Sequence, residues 1–346
     1  MAKKRAIEEY SVDPAAQSML IRAEELGVST AFSRADDLVP CNIGSAGMCC
    51  KICGMGPCRL TKEGQTGVCG ATLDTIQARN LIRSIAAGAS AHSDHGRDMA
   101  FILKAVANGE TEGYIIRDVA KLRILASTYG IPIEKRSPQE IANDLADLYL
   151  AQFGQQQGKV IPIIRAPQKR QKLWEERGVV PRGIDREVVE ALHRTNIGDD
   201  QDPEHILQHA IRTALADGWG GSMIATDISD ILFGTPAPLL GQANLGVLKE
   251  DMVNVVVHGH EPSLSEMIVA ASQDPEIIAY AKAAGAHGVN LAGICCTANE
   301  ILMRQGIPAA GNFLHQELAI LTGAVEAMVV DVQCIMQALV ELAGNF

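Results

Sequence analysis

The spacing of apolar and polar residues changes character near residue 235. Before that point the pattern is helical. DPAAQSMLIRAEELG carries a helical period and ends on Gly27. The stretch from Thr72 to Asn108 predicts one long helix, and 114–155 and 170–216 predict further helices, with Pro162, Pro167 and Pro181 marking breaks. GTPAPLLGQANLG then reads as a connection. Beyond it, short β-branched runs alternate with helical patterns. Strands are predicted over 253–257, 287–294, 307–311 and 327–332, with helices over 263–284, 297–305 and 314–321. This alternation means βαβ units and a parallel sheet. The expected fold is therefore α+β and multidomain: an all-helical domain over 1–235, then a Rossmann-like α/β domain over 236–346.

Composition narrows the chemistry. The 346 residues are 47% hydrophobic but only 4% aromatic, so the cores must be built from aliphatic side chains. A net charge of −11 argues against nucleic acid or an anionic membrane as the main partner. The N-terminus lacks the apolar core of a secretory signal, and no run of apolar residues is long enough to span a bilayer. The expected location is the cytoplasm, where thiols do not persist as structural disulfides. Six of the nine cysteines nevertheless fall within residues 41–70. Such clustering points to metal ligands.

Cys50, Cys53, Cys58 and Cys69 offer four thiolates in a glycine-rich loop, enough for a zinc ion or a 4Fe–4S cluster. A single C-x2-C followed by looser spacings suits the cluster better. Cys41 and Cys49 are then left over. Neighbours in extended backbone point to opposite sides, so Cys49 can face a different object from Cys50. Two thiolates make half a site, which a two-fold axis would complete; the alternative is a pair of ordinary buried cysteines. In the second domain His260, Cys296 and Cys334 each follow a predicted strand, where α/β sheets bind ligands. They are candidates for a second metal site with mixed donors.

The stretch from Cys41 to His95, with RAPQKRQKLWEERGVVPRGIDREVVE, DGWGGSMIATDISDILFGTP, GQANLGVLKEDMVNVVVHGHEP, GICCTANE and DVQCIMQ, resembles the anaerobic nickel–iron–sulfur carbon monoxide dehydrogenases over nearly the whole chain. The resemblance implies a homodimer with a cluster shared at Cys41 and Cys49, and a 4Fe–4S cluster in each chain at Cys50, Cys53, Cys58 and Cys69. It makes His260, Cys296 and Cys334 part of the ligand set of a nickel–iron–sulfur cluster, leaving Cys295 a bystander. It gives His92 and His95 proton-transfer roles and Asp217 an orienting one; the next positions of that histidine ladder hold Asp98 and Phe101. The implied reaction is CO + H2O to CO2, two protons and two electrons, passed to a ferredoxin-like acceptor. The family's chain is nearly twice as long, with a third domain supplying the remaining ligands. The sequence therefore reads as an N-terminal portion: a fragment, a frameshifted product or a split subunit completed by a second chain. Two other readings are a related hybrid-cluster (hydroxylamine reductase-like) protein and a non-catalytic iron–sulfur electron-transfer half.

Overall fold

Asp13 and Gly27 delimit the first long helix of the computed structural model, which describes residues 5–346. In α1 (Pro14–Leu26) the Asp13 carboxylate accepts from the Ala15 N–H, and Gly27 closes the helix at φ +66°. Its buried stripe, Ala16, Leu20 and Ala23, enters a core with Ile294, Leu318 and Leu321. Backbone contacts accordingly group the described residues up to 39 with 236–346 in one unit and leave 40–235 as the other. The sequence pattern assigns this lead-in to the helical part instead. Periodicity shows that α1 has an apolar stripe, not which core receives it.

The unit over 40–235 is built around α2 (Leu73–Asn108), a 36-residue helix of about 54 Å. Thr72 caps its start by accepting from the Thr75 N–H, and Gly109 ends it at φ +71°. Helices α3 (Pro138–Gly154), α4 (Ile184–Arg194), α5 (Pro203–Ala216) and α6 (Ser222–Phe233) pack around it. Met99 and Leu103 of α2 share a core with Ile141, Leu145, Ile224 and Ile228. Each such side chain contributes about 1.5–3 kcal/mol when fully buried.

Ion pairs fix α4 against α5. Glu187 is fully buried and accepts from Arg182 Nε at 3.1 Å, His209 Nε2 at 3.1 Å and Arg212 Nε at 2.7 Å. Glu190 binds Arg182, Arg194 and Arg212. Burial on its own would raise both carboxyl pKa values, but these donors outweigh it. Glu187 is held well below the usual carboxylate range and Glu190 at about 2.

The second unit carries a sheet of four strands: β1 (Val253–Gly259), β2 (Val289–Ile294), β3 (Ala309–Gly311) and β4 (Ala327–Val330). Every pairing is parallel and the order is β3-β2-β1-β4, with Val253 opposite Val289 and Val255 opposite Ala327. The chain works outward from β1 through β2 to β3, then returns past β1 to lay down β4. Strand order thus reverses between β1 and β4, the classical ligand position of a doubly wound sheet. Helices α7 (Pro262–Ser272) and α9 (Cys295–Gln305) cover one face through Val269 and Ile301, while α1 and α10 (Gln316–Leu321) cover the other. The helix expected over 263–284 is two, because Asp274 accepts from the Glu276 N–H and starts α8 (Pro275–Ala283). Among the described residues no helix is long and apolar enough to cross a membrane.

The α4–α5 ion network makes a testable demand. Replacing Glu187 by Gln strands buried arginine and histidine donors and should destabilise the 40–235 unit by about 3–5 kcal/mol. Because Glu187 and Glu190 titrate lower when folded, their contribution is complete above the ordinary carboxylate pKa and fades as pH falls toward 2. Amide exchange in α4 of the wild type should accelerate over that acid window, and in Glu187→Gln it should already be fast at neutral pH.

Candidate metal centres

The cysteine loop folds on a minimal hairpin. Cys49 lies opposite Arg59 and Cys50 opposite Cys58 in an antiparallel pairing. The two side chains of the doublet therefore leave opposite faces of one strand. Cys50 is buried and lines a cavity with Cys53, Cys58 and Cys69. Cys49 instead lines an open basin with Cys41, Lys51, Arg59 and Arg83. The Cys41 thiol sits below its ordinary pKa because the Gly44 N–H points at its sulfur, at 3.4 Å, outweighing burial, with Arg59 and Lys51 adding to the effect.

The four-cysteine cavity also contains Arg79, which is 1% exposed. Its guanidinium donates to the Asp200 carbonyl at 3.0 Å and to Gln201 Oε1 at 3.2 Å, and approaches Cys69 Sγ at 4.0 Å; its Nε has no partner. A buried cation whose oxygen partners are neutral favours an anionic neighbour. Four thiolates holding an iron–sulfur cluster fit that need. Thiols distributed around a cavity suit a polynuclear cluster, whose irons are ligated separately, better than one tetrahedral zinc.

In the α/β unit the candidate donors follow β1, β2 and β4, three strands that lie side by side. His260 lies just past β1, Cys296 is the second residue of α9 directly after β2, and Cys334 follows β4. One carboxylate joins these segments. Asp331 accepts from the backbone N–H of His260 at 2.6 Å and of Glu261 at 3.1 Å, and from Thr297 Oγ1 at 3.3 Å. Gln316, fully buried, donates to the Cys334 carbonyl at 3.0 Å and accepts from the Met336 N–H at 2.9 Å. Its amide nitrogen also donates to the Phe313 carbonyl, so its oxygen faces His258 Nε2 at 3.0 Å, and that ring carries its hydrogen on Nε2.

Cys295, Gln333 and Cys334 all adopt left-handed backbone, at φ +64°, +67° and +60°. Strain of about 1–3 kcal/mol per residue persists only where surroundings enforce it. Burial pushes the Cys295 thiol up to about 12, with Cys334 and Cys296 close enough to add to the shift. Burial likewise raises Cys296, assisted by Cys334, Glu300 and Asp331. Sequence reasoning missed Asp331, Gln316 and Arg79. Only Asp331 left a signal, as an acid at a strand's carboxyl end. His258, one residue past the predicted strand 253–257, belongs to β1 and is fully buried.

The helical unit pairs His92 with Asp217. His92 Nδ1 lies 2.7 Å from Asp217 Oδ1, which also accepts from Ser222 Oγ at 2.9 Å. Asp217 opens a five-residue π-helical turn, Asp217–Gly221, between α5 and α6. Such turns are frequent at functional sites. Backbone contact with α2 fixes it: a Cβ on Gly96 would meet the Gly221 carbonyl at 2.5 Å, and one on Gly221 would meet the His92 carbonyl at 2.5 Å. The Asp217 hydrogen bond raises the His92 pKa against the opposing effect of burial. His95, one turn along α2, is buried, and Phe101 is largely exposed.

Residues 48–346 match the Prismane/CO dehydrogenase family, and the chain belongs to it. Carbon monoxide dehydrogenase 1 of Methanosarcina mazei is 56% identical over 347 residues, covering 99% of this chain and 55% of that protein. The carbon monoxide dehydrogenase of Rhodospirillum rubrum is 47% identical over 97% of this chain and 53% of its own. The nickel-free, as-isolated carbon monoxide dehydrogenase of Thermococcus sp. AM4 superposes with a TM-score of 0.96 at 52% identity, over 99% of this chain and 55% of that one. The chain thus spans about half the length of the relatives it matches.

The His92–Asp217 pair yields a direct test. Removing the Asp217 charge in Asp217→Asn should lower the His92 pKa, because the partner that favours imidazolium is gone. Histidine ring resonances followed by NMR across the pH range read this shift. An unchanged midpoint would mean that the pair does not set the titration.

Proposed function

We propose that this chain is the cluster-bearing portion of an anaerobic carbon monoxide dehydrogenase, a cytoplasmic oxidoreductase converting CO and H2O to CO2, two protons and two electrons. The observation that carries the reading is the side-by-side placement of β2, β1 and β4, each followed by a histidine or cysteine donor, in a chain of this family. His260, Cys296 and Cys334 would hold part of a nickel–iron–sulfur cluster, with further ligands from another domain or a second chain. Cys50, Cys53, Cys58 and Cys69 would hold a 4Fe–4S cluster. Cys41 and Cys49 of two copies would hold a third between them, making the homodimer. When bound, the nickel–iron–sulfur cluster supplies a soft site for CO and a Lewis-acidic iron that acidifies water.

The chain's own residues handle protons and charge. Asp217 holds the His92 ring by Nδ1 and favours its protonated form, so His92 is the group that takes up a proton and passes it on, with His95 next on the same helix. Arg79 balances the thiolates of the four-cysteine cavity. The clusters that the cysteine loop would hold would supply a path for electrons to a ferredoxin-like acceptor.

CO-dependent reduction of a viologen dye, with the chain purified anaerobically and supplied with iron, sulfide and nickel, tests the reading. Turnover is expected once another domain or a second chain supplies the remaining ligands, and His92→Ala should then slow it by about 10²–10⁴-fold. In Asp217→Asn the acid limb of the pH–rate profile should move to lower pH, since His92 then loses its proton earlier. No turnover from a protein that keeps its clusters would reduce the reading to an electron-transfer portion.

The doublet gives a second test. Cys50→Ser should cost about four irons per chain and Cys49→Ser about two, the latter with loss of the dimer. Equal losses from the two variants would contradict separate clusters.

A further inference from the structure

The geometry points to Asp331 as the positioning residue that fixes the His260 segment and ties it to the starts of α9 and the Cys334 loop. Both carboxylate oxygens are fully used. Oδ1 takes the His260 N–H at 2.6 Å and the Val332 N–H at 2.5 Å; Oδ2 takes the Glu261 N–H at 3.1 Å and the Thr297 hydroxyl at 3.3 Å. Four donors from three separate segments thereby converge on one side chain at the carboxyl end of the sheet. Thr297 is fully buried and directly follows Cys296, while Asp331 lies three residues before Cys334. The carboxylate thus reaches each of the three segments that carry a candidate donor.

Gly259 supports this independently. It sits at φ +141°, and a Cβ there would overlap the Asp331 carboxylate. The glycine just before His260 leaves room for this carboxylate and for little else. Asp331 also bonds its own successor's N–H, which fixes the exit from β4 before the strained pair Gln333 and Cys334. Donors on separate strand ends hold a shared object only if their backbones are mutually fixed, and positioning groups of this kind orient ligands through hydrogen bonds rather than by touching what is bound. Asp331 meets that description without itself being a ligand. The inference rests on the cofactor reading only for what His260 holds, not for how His260 is held.

The test uses the full chain in two states. Without metal, Asp331→Asn replaces one of the two acceptor oxygens by a donor, and amide exchange at His260 or Glu261, whichever loses its acceptor, should accelerate roughly tenfold or more. Val255 and Val257 in the interior of β1 should stay within about twofold of wild type, which separates loss of positioning from loss of the fold. Thr297→Val removes a single partner and carries the same comparison should Asp331→Asn fail to fold. With iron, sulfide and nickel supplied anaerobically to ¹⁵N-histidine protein, pulsed EPR reads nitrogen coupling to the reduced cluster. Asp331→Asn should lose or shift that coupling while its iron content is retained, an effect that general destabilisation would not produce. Unchanged exchange at His260 and Glu261 in both variants would overturn the inference. A wild-type chain showing no histidine coupling would count against the cofactor reading alone, and the exchange comparison would still decide the role of Asp331.

Discussion

Strand β1 is paired along both edges, and the carboxyl end of the sheet depends on that double pairing. Its run VNVVVHG is apolar or buried almost throughout, as a strand covered on both faces must be. With β2 on one side and β4 on the other, the segments after all three strands emerge on one edge. Segments carrying a histidine and two cysteines distant in sequence are brought to one end of the sheet for that reason. The polar backbone exposed at this edge is satisfied by Asp331 and Gln316, which also hold the left-handed turn at Cys334.

The helical unit answers a different constraint. A long helix positions side chains at fixed intervals, but it brings a partner close only where bulk is absent. Gly96 and Gly221 provide that absence, so the turn carrying Asp217 rests directly on the backbone of α2 beside His92. The cysteine loop has little regular structure of its own. Two residue pairs of ladder are enough to set Cys49 and Cys50 on opposite faces, one toward the four-cysteine cavity and the other toward the basin shared with Cys41.

Much of this is legible in the amino-acid sequence. The β-branched runs gave four strands in their correct order along the chain, and the thiol spacing grouped Cys50, Cys53, Cys58 and Cys69. Less was legible where a residue acts through distant partners. Arg79 reads in sequence as one more polar position on a helix, yet it is buried against the cysteine cavity. Gln316 reads as a solvated helix start, yet it clamps the Cys334 loop. Neither bears a local mark, because what defines each is a contact more than ten residues away.

The sequence by itself determined the donor types, their spacing and the periods that separate helix from strand, since these are properties of neighbouring residues. Tertiary structure alone decided that α1 packs with the α/β unit, that β4 lies beside β1, and that one carboxylate gathers the three strand ends. The physical reason is the same each time. A local period specifies which face of an element is apolar, but the partner of that face is chosen by packing and hydrogen bonding across the whole unit.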